Sequence, residues 1–79
     1  MLTLTDSQIE LLEAMDGPVN THVTRGTVWI RRRPYKLPDL YALRAAGLVQ
    51  AAEFRNGARG THRFELTARG IAEARHRRD

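Results

Sequence analysis

Three chain-reversal signals follow one another in the second half of the chain, and their order constrains the fold more than any other feature. Leu43 belongs to an apolar helical stripe that stops at Gly47, where glycine supplies the left-handed residue that ends a helix. Asn56-Gly57 is the strongest short-range signal for a β-hairpin, and Thr67 is a suitable N-cap for a last helix. The segment therefore predicts a helix at about 36–46, a hairpin over 48–66 and a helix over 68–77.

The N-terminal segment predicts a helix over residues 6–15. Thr5 and Gln8 stand three positions apart, as the two members of a capping box do. Apolar residues follow at helical spacing, and Asp16-Gly17-Pro18 then supplies residue types that end a helix.

Residues 19–33 carry conflicting signals. Several apolar residues are spaced as on one face of a helix, whereas the β-branched run 27–30 favours a strand and Gly26 weakens a helix. We expect a short second helix near 20–30, with Trp29 in the core.

Length and composition limit the classes of function. A chain of 79 residues suffices for one small domain, so we expect a single domain over 1–79. It has no cysteine, which excludes disulfide frameworks and thiolate zinc sites. Its three histidines lack metal-ligand spacing, and no catalytic or phosphate-loop motif is present. We expect no enzyme activity, no metal and no cofactor.

Charge is distributed unevenly along the chain. Residues 1–30 carry four acidic side chains and one basic one, whereas residues 31–79 carry twelve basic and five acidic side chains. All but one of the 13 basic residues are arginine, which pairs bidentately with phosphate and with guanine. A GC-rich genome would also favour arginine, but it would not explain the uneven placement. An anionic partner would explain both.

Two motifs in the second half of the chain carry a family resemblance. The first is Leu43-x-x-x-Gly47-Leu48-Val49, and the second, after a basic glycine-containing hairpin, is Leu66-Thr67-x-x-Gly70. Over roughly residues 4–77 the chain resembles the winged helix-turn-helix domains of bacterial and phage regulators of the MarR and PadR type. The resemblance implies an α+β fold with a three-helix core, a C-terminal β-hairpin wing and a final helix. The chain has no ligand-binding domain, so no small-molecule ligand is expected.

The resemblance also implies where DNA would bind. The third helix would enter the major groove with its N-terminal end first, directly preceded by an arginine run, and the wing would contact the adjacent minor groove or backbone. The alternative is that these cations only form a solvated face and keep an exposed hairpin soluble. The residues implied are Arg31, Arg32, Arg33, Tyr35, Lys36, Asp39 and Arg44 at the helix, and Arg55, Asn56, Arg59 and Arg63 on the wing.

These expectations together indicate sequence-specific binding of double-stranded DNA by a transcriptional regulator or phage-type accessory factor. Such a protein would be cytoplasmic, associated with the nucleoid and without a membrane partner, and a homodimer would suit its small size. Tyr35 and Tyr41 can stack on bases or pack in the core, and Tyr35 is the better candidate for stacking. The alternatives are an excisionase-like DNA-bending factor and an adaptor that binds a partner protein through the acidic first helix, with Trp29 as an anchor if it is exposed.

Overall fold

The computed structural model describes residues 3–17, 19, 21–51 and 64–78, which form three helices and two antiparallel sheets. The chain is therefore α+β, as the sequence predicts. Strands β1, β2 and β3 form a three-stranded sheet in that order, and β4 pairs with β5. The elements are α1 (Asp6–Ala14), β1 (Thr21–Thr24), β2 (Thr27–Ile30), β3 (Arg33–Lys36), α2 (Leu37–Ala45), β4 (Val49–Ala51), β5 (Phe64–Leu66) and α3 (Ala68–Arg78).

Helix α1 begins with the predicted capping box. The Thr5 hydroxyl accepts a hydrogen bond from the Gln8 backbone N–H, and the Gln8 side chain accepts one from the Thr5 N–H, both at 3.1 Å. Leu11, Leu12 and Met15 on its inner side are buried. The helix prediction is confirmed, since only the C-terminal boundary differs, by one residue.

The predicted helix near 20–30 is wrong, because this segment forms β1 and β2, joined by a turn at Arg25-Gly26. Gly26 has a φ of +70°, a conformation that glycine adopts without the steric penalty of a side chain. Val28 and Ile30 are buried and alternate with outward-facing neighbours, which is the two-residue period of a strand. The β-branched run therefore prevails over the helical spacing.

Trp29 is not a core residue, contrary to the expectation from the sequence. It lies between Val28 and Ile30 in β2, so the alternation of the strand directs it to the opposite face of the sheet, where it is 39% exposed. Its indole N–H donates a hydrogen bond to the Thr24 hydroxyl on β1 at 3.0 Å. The outer face of the three-stranded sheet thus carries an aromatic ring.

Helix α2 ends as the sequence predicts. Gly47 has a φ of +79°, and its N–H donates to the Arg44 carbonyl at 3.0 Å. The Leu48 N–H donates to the Leu43 carbonyl, also at 3.0 Å. These two bonds make a Schellman motif, and the buried Leu48 side chain covers the helix end. The chain thereby reverses into β4.

Two residues attach α3 to this helix end. The Thr67 hydroxyl donates to the Gly47 carbonyl at 2.7 Å and accepts from the Gly70 N–H at 3.1 Å, so Thr67 caps α3, as predicted, and also ties it to α2. Gly70 is buried, and a Cβ at this position would overlap the carbonyl oxygen of Leu48. Close packing therefore requires a glycine here, although glycine is unfavourable for a helix.

The core joins all three helices to both sheets. The Phe64 N–H donates to the Thr21 hydroxyl at 3.0 Å, which links the two sheets.

The described part of the chain matches the predicted order of helix, hairpin strands and helix from α2 onward. A three-stranded sheet stands where the second helix of the three-helix core was expected. The buried apolar residues are Leu11, Leu12, Met15, Val19, Val28, Ile30, Leu40, Leu43, Leu48, Val49, Leu66 and Ala74.

Candidate nucleic-acid interface

Helix α2 divides its side chains between the core and the solvent. Leu40 and Leu43 are fully buried. Pro38, Tyr41 and Arg44 are exposed and follow one another at intervals of three residues, so they form one stripe along the helix. Tyr41 is 53% exposed. This stripe, which we call the outer stripe of α2, is accessible to a large partner.

The acidic residue of α2 is directed away from the outer stripe. Asp39 is half-buried and accepts a hydrogen bond from the Ser7 hydroxyl of α1. The predicted DNA contact Asp39 therefore lies at the contact between two helices. The exposed charged side chains at the N-cap position and on the outer stripe are Lys36 and Arg44, and both are cationic.

The N-terminal end of α2 lies beside the β1–β2 turn, because the Leu37 N–H donates to the Gly26 carbonyl at 3.1 Å. Arg25 in this turn is exposed, as is Lys36, which occupies the N-cap position without a capping side-chain bond. A helix N-terminus carries partial positive charge, so three sources of positive potential meet here.

Arg25 is absent from the site residues that the sequence predicts, because the expected helix over 20–30 would place it within a regular element. The signal that could have revealed its position is the Arg-Gly pair between two β-branched runs, which is typical of a short hairpin connection.

The predicted contacts Arg31, Arg32 and Arg33 lie at the other end of the three-stranded sheet. Ile30 pairs with Arg33, so Arg31-Arg32 forms a two-residue turn, with φ values of 51° and 66°. Arg33 begins β3, and the four residue steps from it to Leu37 at the start of α2 cover about 13 Å, at roughly 3.3 Å per residue. The expectation that they directly precede the helix is therefore wrong.

A groove of about 590 Å³ lies between α1 and the β2–β3 hairpin. Glu10 and Glu13 line it from α1, and Arg31 and Arg33 line it from the hairpin. The carboxylates attract these guanidinium groups across the groove, which reduces the positive potential that they present to an anion. Arg32 is exposed and does not line the groove, so it is the least compensated arginine of this run.

The two tyrosines have different surroundings. Tyr35 is half-buried and packs against the core, whereas Tyr41 is more than half exposed on the outer stripe of α2. The sequence favours Tyr35 for stacking on bases, but the structure leaves more of the Tyr41 ring accessible. Trp29, expected in the core, is the other large hydrophobic side chain exposed among the described residues.

The predicted wing is described only at its base. Val49 pairs with Leu66, and the Gln50 side-chain amide donates to the Glu65 carboxylate at 2.9 Å across the two strands. The paired strands agree with the predicted hairpin over 48–66. The remaining predicted contacts, Arg55, Asn56, Arg59 and Arg63, lie outside the described residues.

Comparisons with protein-family models, with curated proteins and with solved structures found no match to this chain. Within the described ranges, no group of three His, Asp or Glu side chains is placed to hold a metal ion. None of the helices in the described part combines the length and the apolar character needed to cross a membrane.

Proposed function

We propose that this protein binds double-stranded DNA through the outer stripe of α2 and acts as a transcriptional regulator or phage-type accessory factor. In this proposal α2 lies in the major groove, with its N-terminal end and the adjacent β1–β2 turn against the phosphates. Lys36 and Arg25 would contact the backbone, and Tyr41 and Arg44 would face the bases. The arginine-rich segment 55–63 would continue the contact as a wing.

The observation that carries the proposal is the separation of charge on α2. Asp39 is held against Ser7 on the inner side, whereas Lys36 and Arg44 are exposed. A carboxylate on the outer stripe would repel phosphate. Because Asp39 faces α1 instead, the outer stripe is suited to a polyanion. Arg44 also has the planar fork of donors that reads guanine bidentately.

Duplex binding can be measured by the fluorescence anisotropy of labelled DNA over a range of salt concentrations. Neutralising phosphates releases counterions, so we expect affinity to fall steeply as salt rises. Lys36→Ala removes a phosphate contact in the proposal and should reduce the salt slope by about one unit. Arg44→Ala should weaken binding and relax the preference among duplex sequences.

Arg75→Ala is the matched control, since Arg75 is an exposed arginine on α3, a helix outside the proposed interface. It makes the same change in net charge as Arg44→Ala. Equal losses for the two variants would show that only net charge matters and would overturn the proposed surface. No duplex binding by the wild-type protein at low salt would reject the function itself.

The proposal includes two copies on one DNA site. A single DNA-binding module covers about 600–1,000 Å² of protein surface, and a second copy would double the contact. Stoichiometric titration of a duplex with this protein tests the arrangement. A plateau at one protein per duplex would restrict the proposal to a monomer.

A further inference from the structure

The outer face of the three-stranded sheet forms a second surface, separate from the outer stripe of α2. The register places His22, Trp29 and Pro34 in one row across the three strands, and Thr24, Thr27 and Lys36 in the next row on the same face. Five of these six side chains are exposed, and Thr27 is half-buried. None of the six is acidic. The face therefore combines an aromatic ring with neutral or basic neighbours.

The hydrogen bond of Trp29 determines what the indole can offer to a partner. Its N–H already donates to the Thr24 hydroxyl at 3.0 Å, while the side chain remains 39% exposed. The polar edge of the ring is thus occupied within the sheet. What remains accessible is carbon and π surface held in one orientation, which is suited to stacking rather than to donating a hydrogen bond.

Cations stand at both ends of this face. Lys36 lies on it, Arg25 is exposed in the turn at one end, and Arg32 is exposed in the turn at the other end. Glu10 and Glu13 line the groove between α1 and the β2–β3 hairpin, a groove that none of these three cations lines. The ring is therefore flanked by positive charge along the direction of the strands.

The size of the face discriminates between kinds of partner. Three strands of four residues span about 13 Å by 10 Å, from roughly 3.3 Å per residue and about 4.8 Å between strands. A stable protein interface draws on about 20–30 residues on each side, several times the six residues of this face. One or two nucleotides fit within it, and a base needs only one aromatic surface to stack on.

We infer that the outer face of the three-stranded sheet binds unpaired nucleotides of a single-stranded nucleic acid, with a base stacked on Trp29 and the flanking phosphates held by Arg25 and Arg32. This activity goes beyond the proposed duplex binding and shares with it the phosphate contact of Arg25 in the β1–β2 turn, whereas its stacking residue lies on a different element. It would let the protein hold a separated or looped strand. The two activities can fail independently, because Trp29 lies on β2 and Arg44 on α2.

Trp29 is the sole tryptophan of the chain, so intrinsic tryptophan fluorescence reports directly on this face. The experiment titrates the full chain with a short single-stranded oligothymidine and with an abasic strand of equal length and charge. We expect the oligothymidine to quench the emission of Trp29 and to bind about tenfold or more tightly than the abasic strand, the loss expected when a base–aromatic stack is absent.

Variants separate the ring from the charges. Trp29→Ala should lower the affinity for labelled oligothymidine about tenfold, whereas Trp29→Phe should keep part of it. His76→Ala is the control, because it removes an exposed ring from α3, which belongs to neither proposed surface, and we expect it to leave oligothymidine affinity unchanged. Circular dichroism checks that each variant is folded, and quenching of the wild-type protein gives a test that needs no variant.

Several results would overturn the inference. Equal affinity for the abasic strand, or unchanged affinity in a folded Trp29→Ala variant, would mean that only charge attracts the strand. Quenching by an acidic peptide but not by oligothymidine would make the face a protein-docking surface.

One result would instead support the inference and separate it from the proposed duplex binding. This is the loss of duplex binding in Arg44→Ala while oligothymidine still quenches Trp29, which would confine the defect to α2.

Discussion

The two ends of helix α2 are held in different ways. At the C-terminal end, Gly47 and Leu48 close the helix by backbone hydrogen bonds, and Thr67 and Gly70 pack α3 against them. At the N-terminal end, the Leu37 N–H bonds to the β1–β2 turn and Asp39 in the first turn bonds to Ser7 of α1, but no side chain caps the helix.

This difference separates stability from proposed function at every position except Arg44, whose side chain belongs to the outer stripe although it lies in the last turn of α2. The C-terminal end has specific packing, and its residues are accounted for by the fold. The N-terminal end lacks a capping side chain, and the adjoining sheet has a turn with two arginines at positive φ. Exposed cations lie at both places and are accessible to a partner. Substitutions at the C-terminal end should therefore lower the free energy of unfolding. Substitutions at the N-terminal end or in the sheet can raise it, but they should weaken nucleic-acid binding.

The largest effect is expected at Gly70. A Cβ there would overlap the Leu48 carbonyl oxygen and lie 3.2 Å from the Leu66 Cβ, so Gly70→Ala should lower the free energy of unfolding by at least about 3 kcal/mol. Urea denaturation followed by circular dichroism measures this change. Helix propensity alone would stabilise the variant by about 1 kcal/mol. The sign of the measured change therefore shows whether steric overlap or helix propensity dominates at this position.

The control for that variant is Ala72→Gly, which makes the reverse exchange at an exposed position of the same helix. It should cost only about 1 kcal/mol, as expected from helix propensity. A Gly70→Ala variant that is as stable as the wild-type protein would show that α3 does not pack closely on Leu48.

Thr67 should have the next largest effect. Thr67→Val keeps the shape of the side chain but removes the hydrogen bonds to Gly47 and Gly70, at about 1 kcal/mol each. We expect a loss of about 2 kcal/mol in thermal or urea unfolding. Thr67→Ser retains the hydroxyl and should lose much less; equal losses in both variants would assign the effect to packing instead.

The Arg31-Arg32 turn should respond in the opposite direction. Both residues have positive φ, a conformation that asparagine and glycine adopt at lower cost in two-residue hairpins. Arg31→Asn combined with Arg32→Gly should therefore raise the stability by about 1 kcal/mol while weakening the binding of single-stranded DNA. The double lysine variant keeps both charges and should show no gain in stability, and a comparable gain there would refute the conformational explanation.

The smallest effect is expected at Lys36, the N-cap position of α2. Lys36→Ser supplies a capping oxygen and should stabilise the protein by about 0.5–1 kcal/mol, while duplex affinity falls because a cation is lost. Lys36→Ala removes the same charge without adding a cap, so it should lose affinity and gain no stability. If Lys36→Ser destabilises the protein, this end of α2 depends on the lysine for structure, and the contrast between the two ends fails.

The sequence predicts most of the elements in the described part of the chain. Signals that act over three or four neighbouring residues are sufficient for α1, for the end of α2 and for the start of α3. The β1–β2 hairpin is missed because helical spacing and β-branched composition coincide over residues 19–33. Local interactions alone do not choose between them, and pairing with β3 decides in favour of the sheet.

For the candidate surfaces too, the sequence predicts what local signals specify and misses what strand pairing decides. Sequence reasoning identifies Lys36 and Arg44 as candidate contacts, and both are exposed at α2. It misplaces the run Arg31–Arg33 relative to the helix and assigns Trp29 to the core. Both errors have one origin, since a strand directs alternate residues outward and carries its ends about 3.3 Å further apart with each residue.

By itself, the sequence determined the α+β class, the caps that begin and end the helices, and the excess of arginine in the second half. These depend on short-range hydrogen bonding and on composition, which neighbouring residues specify. Only the tertiary structure decided that Asp39 is directed to Ser7 and that Gly70 must lack a side chain. It also decided that Trp29 shares a sheet with Lys36, with Arg25 in the turn between two of its strands. Those facts depend on contacts between residues distant in the chain, and burial and strand pairing select such contacts for the whole domain at once.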